Sequence, residues 1–314
     1  MRTKTSDPSA SSRPLLSRRR LLAGAAVTAG VATVNACGPD AYDWTPPGKV
    51  IVTRVDRVPD DPEDDTWSET PMAEVEMDSQ VIVLPHRLTP LTRVVRVRAL
   101  HDGSSVGFRL EWNDDETNDE TVTCDGFRDA CAVLLAPGEG DETLRVMGSA
   151  TQAATLLHWR ADWQWDVDEG VRGVRDTFPN VSVDSYPIVH ETPPGEVTPE
   201  TYAEAGATQW LPGLHVENPM SSSVRETCVE KILAQGPGSS THTPTQNASG
   251  RGVRTDDGWR VAIRRPLEAV DEGEMALSAG SVHTCAFALW SGGDRDAGGR
   301  KSPSKQALRL EMEA

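Results

Sequence analysis

From Val50 onward the chain is written in short alternating runs, and that period commits it to β-structure. Val50-Ile51-Val52-Thr53-Arg54-Val55, Arg93-Val94-Val95-Arg96-Val97-Arg98-Ala99-Leu100 and Val106-Gly107-Phe108-Arg109-Leu110-Glu111-Trp112 set apolar side chains at every second position. That spacing gives a strand one buried and one wet face. His101-Asp102-Gly103-Ser104, between the last two runs, supplies the glycine that a tight hairpin turn needs. Further strands are expected over 130–135, 155–162, 259–264, 285–290 and 307–312. Strands this short, separated by Gly, Pro and Asp turns, predict a mainly β fold, an antiparallel β-sandwich with few short helices. Residues 190–250, rich in Pro, Gly, Ser and Thr, read as a loop-rich insertion with one helix near 224–233. The acidic runs 60–65 and 114–120 read as solvated loops, and the second does not match an EF-hand spacing.

The amino terminus reads as an address rather than as part of the fold. Ser17-Arg18-Arg19-Arg20-Leu21-Leu22 has the form of a twin-arginine export motif, and the apolar stretch 21–34 behind it is too short to span a bilayer. Val34-Asn35-Ala36-Cys37 offers a small-residue cleavage site or a loose lipobox, both cutting before Cys37. The expected organisation is a signal peptide over 1–36, a tether over 37–49 and one domain over 50–314. Export to the periplasm or the outer face of the cytoplasmic membrane follows, with Cys37 lipidated. The twin-arginine route carries folded proteins, which suits a chain leaving with a cofactor or a partner already in place.

Charge and cysteines narrow the function further. Thirty-one Lys and Arg against 48 Asp and Glu give a net charge of -17, which repels a nucleic-acid backbone. Removing 1–36 takes away Arg2, Lys4, Arg13, Arg18, Arg19 and Arg20 against Asp7 alone, so the exported part is more acidic still. With Cys37 acylated, Cys124, Cys131, Cys228 and Cys285 remain, an even number in an oxidising compartment. Two disulfides are possible, Cys124 with Cys131 and Cys228 with Cys285 among the three pairings. No Cys-x-x-Cys-His is present, so covalent c-type haem attachment through that motif is excluded. Lysine is scarce: only Lys4, Lys49, Lys231, Lys301 and Lys305 occur.

Four stretches, in order, resemble the haem b subunit of type II dimethylsulfoxide reductase family enzymes, the ethylbenzene dehydrogenase-related haem-binding domain. They are Arg96-Val97-Arg98-Ala99-Leu100-His101-Asp102-Gly103 running into Phe108-Arg109-Leu110-Glu111-Trp112, and Phe127-Arg128-Asp129-Ala130-Cys131-Ala132-Val133 followed by Met147-Gly148 and His158-Trp159-Arg160-Ala161-Asp162-Trp163. The others are Gly258-Trp259-Arg260-Val261-Ala262-Ile263-Arg264-Arg265-Pro266-Leu267, and Phe287-Ala288-Leu289-Trp290-Ser291-Gly292 with Arg300-Lys301-Ser302. The resemblance spans roughly residues 50–314. Pro303 after Arg-Lys-Ser, the segment 149–155 and the large 190–250 insertion depart from the family pattern.

The resemblance implies haem b held between a methionine and a lysine, at the positions of Met147 and Lys301, with Lys305 as the rival lysine. It further implies His158, Trp159, Arg160 and Arg264 around the cofactor, the arginines with Arg265 as partners for haem propionates. The plainer reading of His158, against that of an iron ligand, is a packed strand histidine or a haem-edge contact, and of the tryptophans, core. A thioether favours ferrous iron and raises the potential, and a lysine can ligate only as the neutral amine. The implied function is electron transfer, without substrate chemistry of its own. Its partners would be a molybdopterin catalytic subunit with an iron-sulfur subunit, and an external redox carrier. The rival is a haem-free ligand-binding or structural surface lipoprotein on the same sandwich.

Overall fold

The computed structural model describes residues 48–182 and 211–314, apart from 217, 223 and 224. The export motif and Cys37 lie outside the described residues, as does most of the proline-rich half of 190–250.

Thirteen strands among these residues form one sheet that folds over on itself. They are β1 (Lys49–Arg54), β2 (Ala73–Glu76), β3 (Val94–His101), β4 (Ser105–Asn113), β5 (Ala130–Ala136), β6 (Ala154–Arg160) and β7 (Val229–Ala234). The series continues with β8 (Thr241–His242), β9 (Ser249–Thr255), β10 (Gly258–Pro266), β11 (Val282–Trp290), β12 (Ser302–Pro303) and β13 (Leu308–Met312). The order is β8-β7-β6-β5-β11-β13-β1-β3-β4-β10-β9, with β12 beside β11 and β2 beside β3. The mainly β reading holds. The sheet is mixed rather than purely antiparallel, because β1 runs parallel to both of its neighbours, β13 and β3.

Alternation explains how one sheet makes a sandwich. Val95, Val97 and Ala99 of β3 and Val106, Phe108, Leu110 and Trp112 of β4 are buried against Cys131, Val133 and Leu135 of β5 and Cys285, Phe287 and Leu289 of β11. Trp159 lies at the centre of that core, edge-on to Trp112 at 6.3 Å and to Trp259 at 5.1 Å. Gly252 of β9 lies over it, and a Cβ there would meet the Trp159 ring at 2.3 Å. Gly252→Ala should therefore overpack the core and cost about 1–3 kcal/mol in urea unfolding. A loss under about 0.5 kcal/mol, the scatter of neutral surface substitutions, would contradict this account of the packing.

Two expectations are corrected. The helix near 224–233 is strand β7 from Val229 on, paired with β6 across Trp159↔Val229 to Ala154↔Ala234. The 190–250 stretch thus gives β7, β8 and the start of β9 to the sheet. The strand over 155–162 ends at Arg160, and Ala161–Glu169 is a helix, α1.

The cysteine pairing is corrected as well: Cys124, Cys131, Cys228 and Cys285 are free thiols. Cys124 is exposed, whereas Cys131 faces the core. Cys285 sits opposite Leu135 and not opposite Cys131. The Cys228 thiol donates to the Gly250 carbonyl at 2.9 Å. Burial pushes the Cys228 thiol up to about 12 and those of Cys131 and Cys285 upward too, so all three are poor nucleophiles.

Candidate functional site

β5, Ala-Cys-Ala-Val-Leu-Leu-Ala, does not alternate, and all seven residues are buried. A sandwich strand needs only one apolar face, so the second face must itself be covered. That outer face carries Ala130, Ala132, Leu134 and Ala136 of β5. Beside them lie Leu156 and His158 of β6 and Ala286, Ala288 and Trp290 of β11, by the registers Ala132↔His158, Leu134↔Leu156, Ala132↔Ala288 and Leu134↔Ala286. Alanines at the centre keep this floor shallow. Two connections reach over it, one bringing Met147 and the other Lys301.

The first connection is tightly wound. Asp141 caps a 3-10 turn at Glu142–Leu144 by accepting from the Thr143 amide and hydroxyl at 2.9 and 2.7 Å. Leu144 is buried beneath it, and the Gly148 amide donates back to the Leu144 carbonyl at 3.0 Å. Met147 and Gly148 then take successive left-handed conformations, φ 71° and 72°. Gly148 must be glycine, since a Cβ would lie within 2.9 Å of three backbone atoms. A methionine with positive φ is an uncommon, strained choice that persists where the surroundings fix it. The Met147 carbonyl accepts from the Gly236 amide at 2.8 Å, which pins the residue to the end of β7.

The second connection is braced by charge. The buried Asp296 carboxylate accepts the Ser291 amide at 3.2 Å and pairs with Arg87 at 2.9 Å and Arg300 at 3.3 Å. Ser302 and Pro303 form β12 against Leu289 and Ala288, and the Ser304 amide donates to the Phe287 carbonyl at 2.7 Å. Lys301 is held between these fixed points.

The Lys301 Nζ donates to the Met147 Sδ at 3.4 Å and lies 5.2 Å from the Trp290 ring centroid. Among the described residues it has no carboxylate within ion-pair distance. The other described lysines all have one: Lys49 with Glu311 at 2.8 Å, Lys231 with Glu274 at 2.9 Å, and Lys305 with Glu76 at 3.0 Å. Burial alone pushes the Lys301 amine down to about 8, close to the point at which it carries a free lone pair at neutral pH. Met147 and Lys301 share two small adjoining clefts, of about 30 and 50 Å³, with Arg145 and Pro303.

The lip of the site is apolar and open. Val81 and Ile82 line the outer cleft beside Met147 and Lys301, and Ile82, Leu84 and Leu88 are 69%, 77% and 78% exposed. Sequence reading missed this lip, which looks like an ordinary strand in Val81-Ile82-Val83-Leu84. It also missed Arg145, two residues before Met147, and the alanine floor, although the unbroken apolar run of β5 was a readable signal for the latter.

The remaining sequence candidates divide by face. His158 lies on the floor side and stacks on Trp290 at 4.5 Å. Arg160, two residues on, shares that face, pairs with Glu230 and donates to the His158 Nδ1 at 3.4 Å. Trp159 points the other way, into the core, so its expected place beside a cofactor is corrected by strand alternation. Arg264 is corrected likewise. It lies on β10 in the opposite half of the sandwich, bonded to Asp60 at 3.2 Å and Ser105 at 3.3 Å. Arg265 is buried against Glu274 at 2.6 Å. Lys305 is exposed on Glu76, away from Met147.

A thioether and an amine whose pKa burial has lowered to about 8 face each other in an apolar cleft, a pair that can ligate a metal once the amine gives up its proton. Among the described residues no group of three or more His, Cys, Asp or Glu is placed to hold a bare ion. The donor set therefore fits a metal that arrives with most of its ligands, such as iron in a tetrapyrrole. At 3.4 Å the two donors are in contact with each other, so receiving such a group requires them to part.

No family model matches the chain. It is 22% identical over 290 residues, covering 92% of this chain and 82% of the relative, to a protein of Haloferax mediterranei named as a respiratory nitrate reductase heme subunit. It is also 22% identical over 253 residues, 79% of this chain and 78% of the relative, to the chlorate reductase subunit gamma of Ideonella dechloratans. Among solved structures, a carbohydrate binding module family 9 from Caldicellulosiruptor kristjanssonii in complex with glucose aligns over 85% of this chain and 96% of its own, at 12% identity and a TM-score of 0.35.

Proposed function

From its place among the gamma haem subunits of dimethylsulfoxide reductase family enzymes, we propose that this chain carries haem b between Met147 and Lys301 and relays electrons for an exported molybdoenzyme complex. The observation that carries the reading is Lys301, a lysine without a carboxylate partner among the described residues, its Nζ 3.4 Å from the Met147 sulfur.

Bound haem would supply an iron that takes up and releases one electron at a time. The protein's residues set how it does so. Lys301 would offer its amine, whose pKa burial has lowered to about 8, so that a bound metal's charge would displace its proton more readily than from an exposed lysine. Met147 offers a soft thioether that favours the reduced iron and so raises the potential. The alanine floor and the Val81 and Ile82 lip give the donors apolar surroundings. This chain contributes no substrate chemistry. Its partners in the reading are a molybdopterin catalytic subunit and an iron-sulfur subunit, with an external carrier at the far end of the relay.

Export through the twin-arginine route and a lipid anchor at Cys37 complete the proposal, motivated by Arg18-Arg19-Arg20 before the apolar stretch. Replacing all three arginines by lysine should leave the precursor in the cytoplasm, read by fractionation. Normal export of that variant would remove the twin-arginine reading. Titrating the haem-free chain with haemin tests the cofactor itself: a sharp Soret band saturating at one equivalent is expected, and a broad, non-saturating absorbance would overturn it.

A further inference from the structure

β6 places His158 on the same face as Leu156 and in register with Ala132. Leu156 and Ala132 both line the inner cleft with Met147 and Lys301. The imidazole is fixed in orientation from two sides. Its ring stacks on Trp290, tilted by 30°, and that indole in turn lies beside the Lys301 amine. On the other side the Arg160 Nε donates to Nδ1 at 3.4 Å.

A guanidinium has donors only, so Nδ1 must present its lone pair and the ring proton must sit on Nε2. That Nε2–H is buried and has no hydrogen-bond partner. A buried donor without an acceptor carries an uncompensated desolvation cost and calls for an explanation in a native fold. Around the ring stand Arg160, Arg128 and Lys301, with Glu230 in register on β7 and paired to Arg160, and Asp162 paired to Arg128 at 3.2 Å; burial and the three cations keep the imidazole neutral. A pre-oriented N–H without an acceptor, at the edge of an apolar floor and near a Lys301 amine that has no carboxylate partner among the described residues, suits a carboxylate.

We propose that His158 donates its Nε2–H to a propionate carboxylate of the bound haem and so sets which way round the group enters the cleft. This rests on the haem reading above. It makes His158 a binding residue rather than a packed strand histidine, and not a ligand of the iron.

The test compares haemin with haemin dimethyl ester, which differs only in lacking the two carboxylates, on the full chain freed of haem. Wild type should bind haemin about tenfold or more tighter than the ester, the scale of one hydrogen bond to a charged group. His158→Phe keeps the stack on Trp290 but loses the donor. It should weaken haemin binding to near that of the ester while leaving ester affinity and the low-spin spectrum unchanged. His158→Gln retains both an acceptor for Arg160 and an N–H, and should restore much of the difference. Equal weakening of both porphyrins in His158→Phe, or an undiminished difference between them, would overturn the assignment in favour of packing. A change to high-spin iron would overturn it in favour of direct ligation. Failure of the wild-type chain to bind either porphyrin would remove the haem reading, and this assignment with it.

Discussion

Lys301→Ala is expected to leave a folded protein that no longer holds low-spin haem. The side chain makes no ion pair among the described residues and contributes a weak contact to Met147 and an approach to the Trp290 ring at 5.2 Å, so its loss chiefly removes a buried amine whose burial opposes folding. What disappears is the nitrogen donor. Haem should then be lost from the chain or become predominantly high-spin, a change read directly in the Soret and visible bands. Lys301→Arg should fare no better, because a guanidinium stays protonated and has no lone pair to give. Lys305→Ala is the control, since Lys305 is exposed on Glu76, and its spectrum should match wild type.

The same residue sets a pH dependence in the haem-free protein. The Lys301 amine titrates near 8 in the fold against its ordinary 10.5. Between those values the unfolded chain binds more protons than the folded one, so stability should rise with pH from about 8 to about 10.5. Below pH 8 both states are protonated and the full burial penalty applies. Lys301→Met should flatten that rise in urea midpoints measured across the interval. A rise of the same size in the variant would assign it to another group.

Met147→Ala is expected to fail differently. The lysine side stays intact, so haem should be retained with one axial position open to added imidazole. The midpoint potential should fall on the order of 100 mV, a modest part of the roughly 0.8 V that axial ligands span. Met147→His should remain low-spin with a lower potential than wild type. Met147→Gly separates backbone from sulfur. Glycine accepts φ 71° without strain, so the apoprotein should be at least as stable as that of Met147→Ala, with the same loss of potential. An unchanged potential in both small variants would remove Met147 from the iron.

Much of the scaffold was legible because period-2 alternation survives wherever one face is wet. The runs read at 93–100 and 106–112, with their turn at 101–104, appear within a residue at each end as β3 and β4. Reading failed where tertiary pairing outweighs local pattern. Val229-Glu230-Lys231-Ile232-Leu233 looks helical in isolation, but β6 offers an open edge and claims it as strand. Trp159 and Arg264 were expected near a cofactor from their neighbourhood in sequence. A strand turns adjacent residues to opposite faces, which sends Trp159 to the core while His158 stays on the floor, and places Arg264 in the other half of the sandwich. Even cysteine number suggested disulfides, Cys124 with Cys131 and Cys228 with Cys285, but parity says nothing of distance: Cys124 is exposed while Cys131 is buried, and the Cys228 thiol is bonded to the Gly250 carbonyl instead.

Met147 and Lys301 lie 154 residues apart, and no local pattern joins them. Only the fold brings them together, by hanging two connections over the same shallow floor. Resemblance named the pair, and the 3.4 Å contact supplies its physical basis. The apolar lip from Val81 to Leu88 was invisible for the opposite reason. Its composition resembles a core strand, and its exposure is known only once the sheet is assembled.

The central claim is that this chain holds one haem b by Met147 and Lys301. A pyridine haemochrome spectrum of the purified protein, set beside the near-infrared and electron paramagnetic resonance spectra of its oxidised form, tests it most directly. The account predicts one protohaem per chain, extractable into acidic acetone, with low-spin ferric signals that carry a thioether charge-transfer band in wild type and lose it in Met147→His. A protein without haem, or a bis-nitrogen haem whose spectra are indifferent to both Met147 and Lys301, would contradict it.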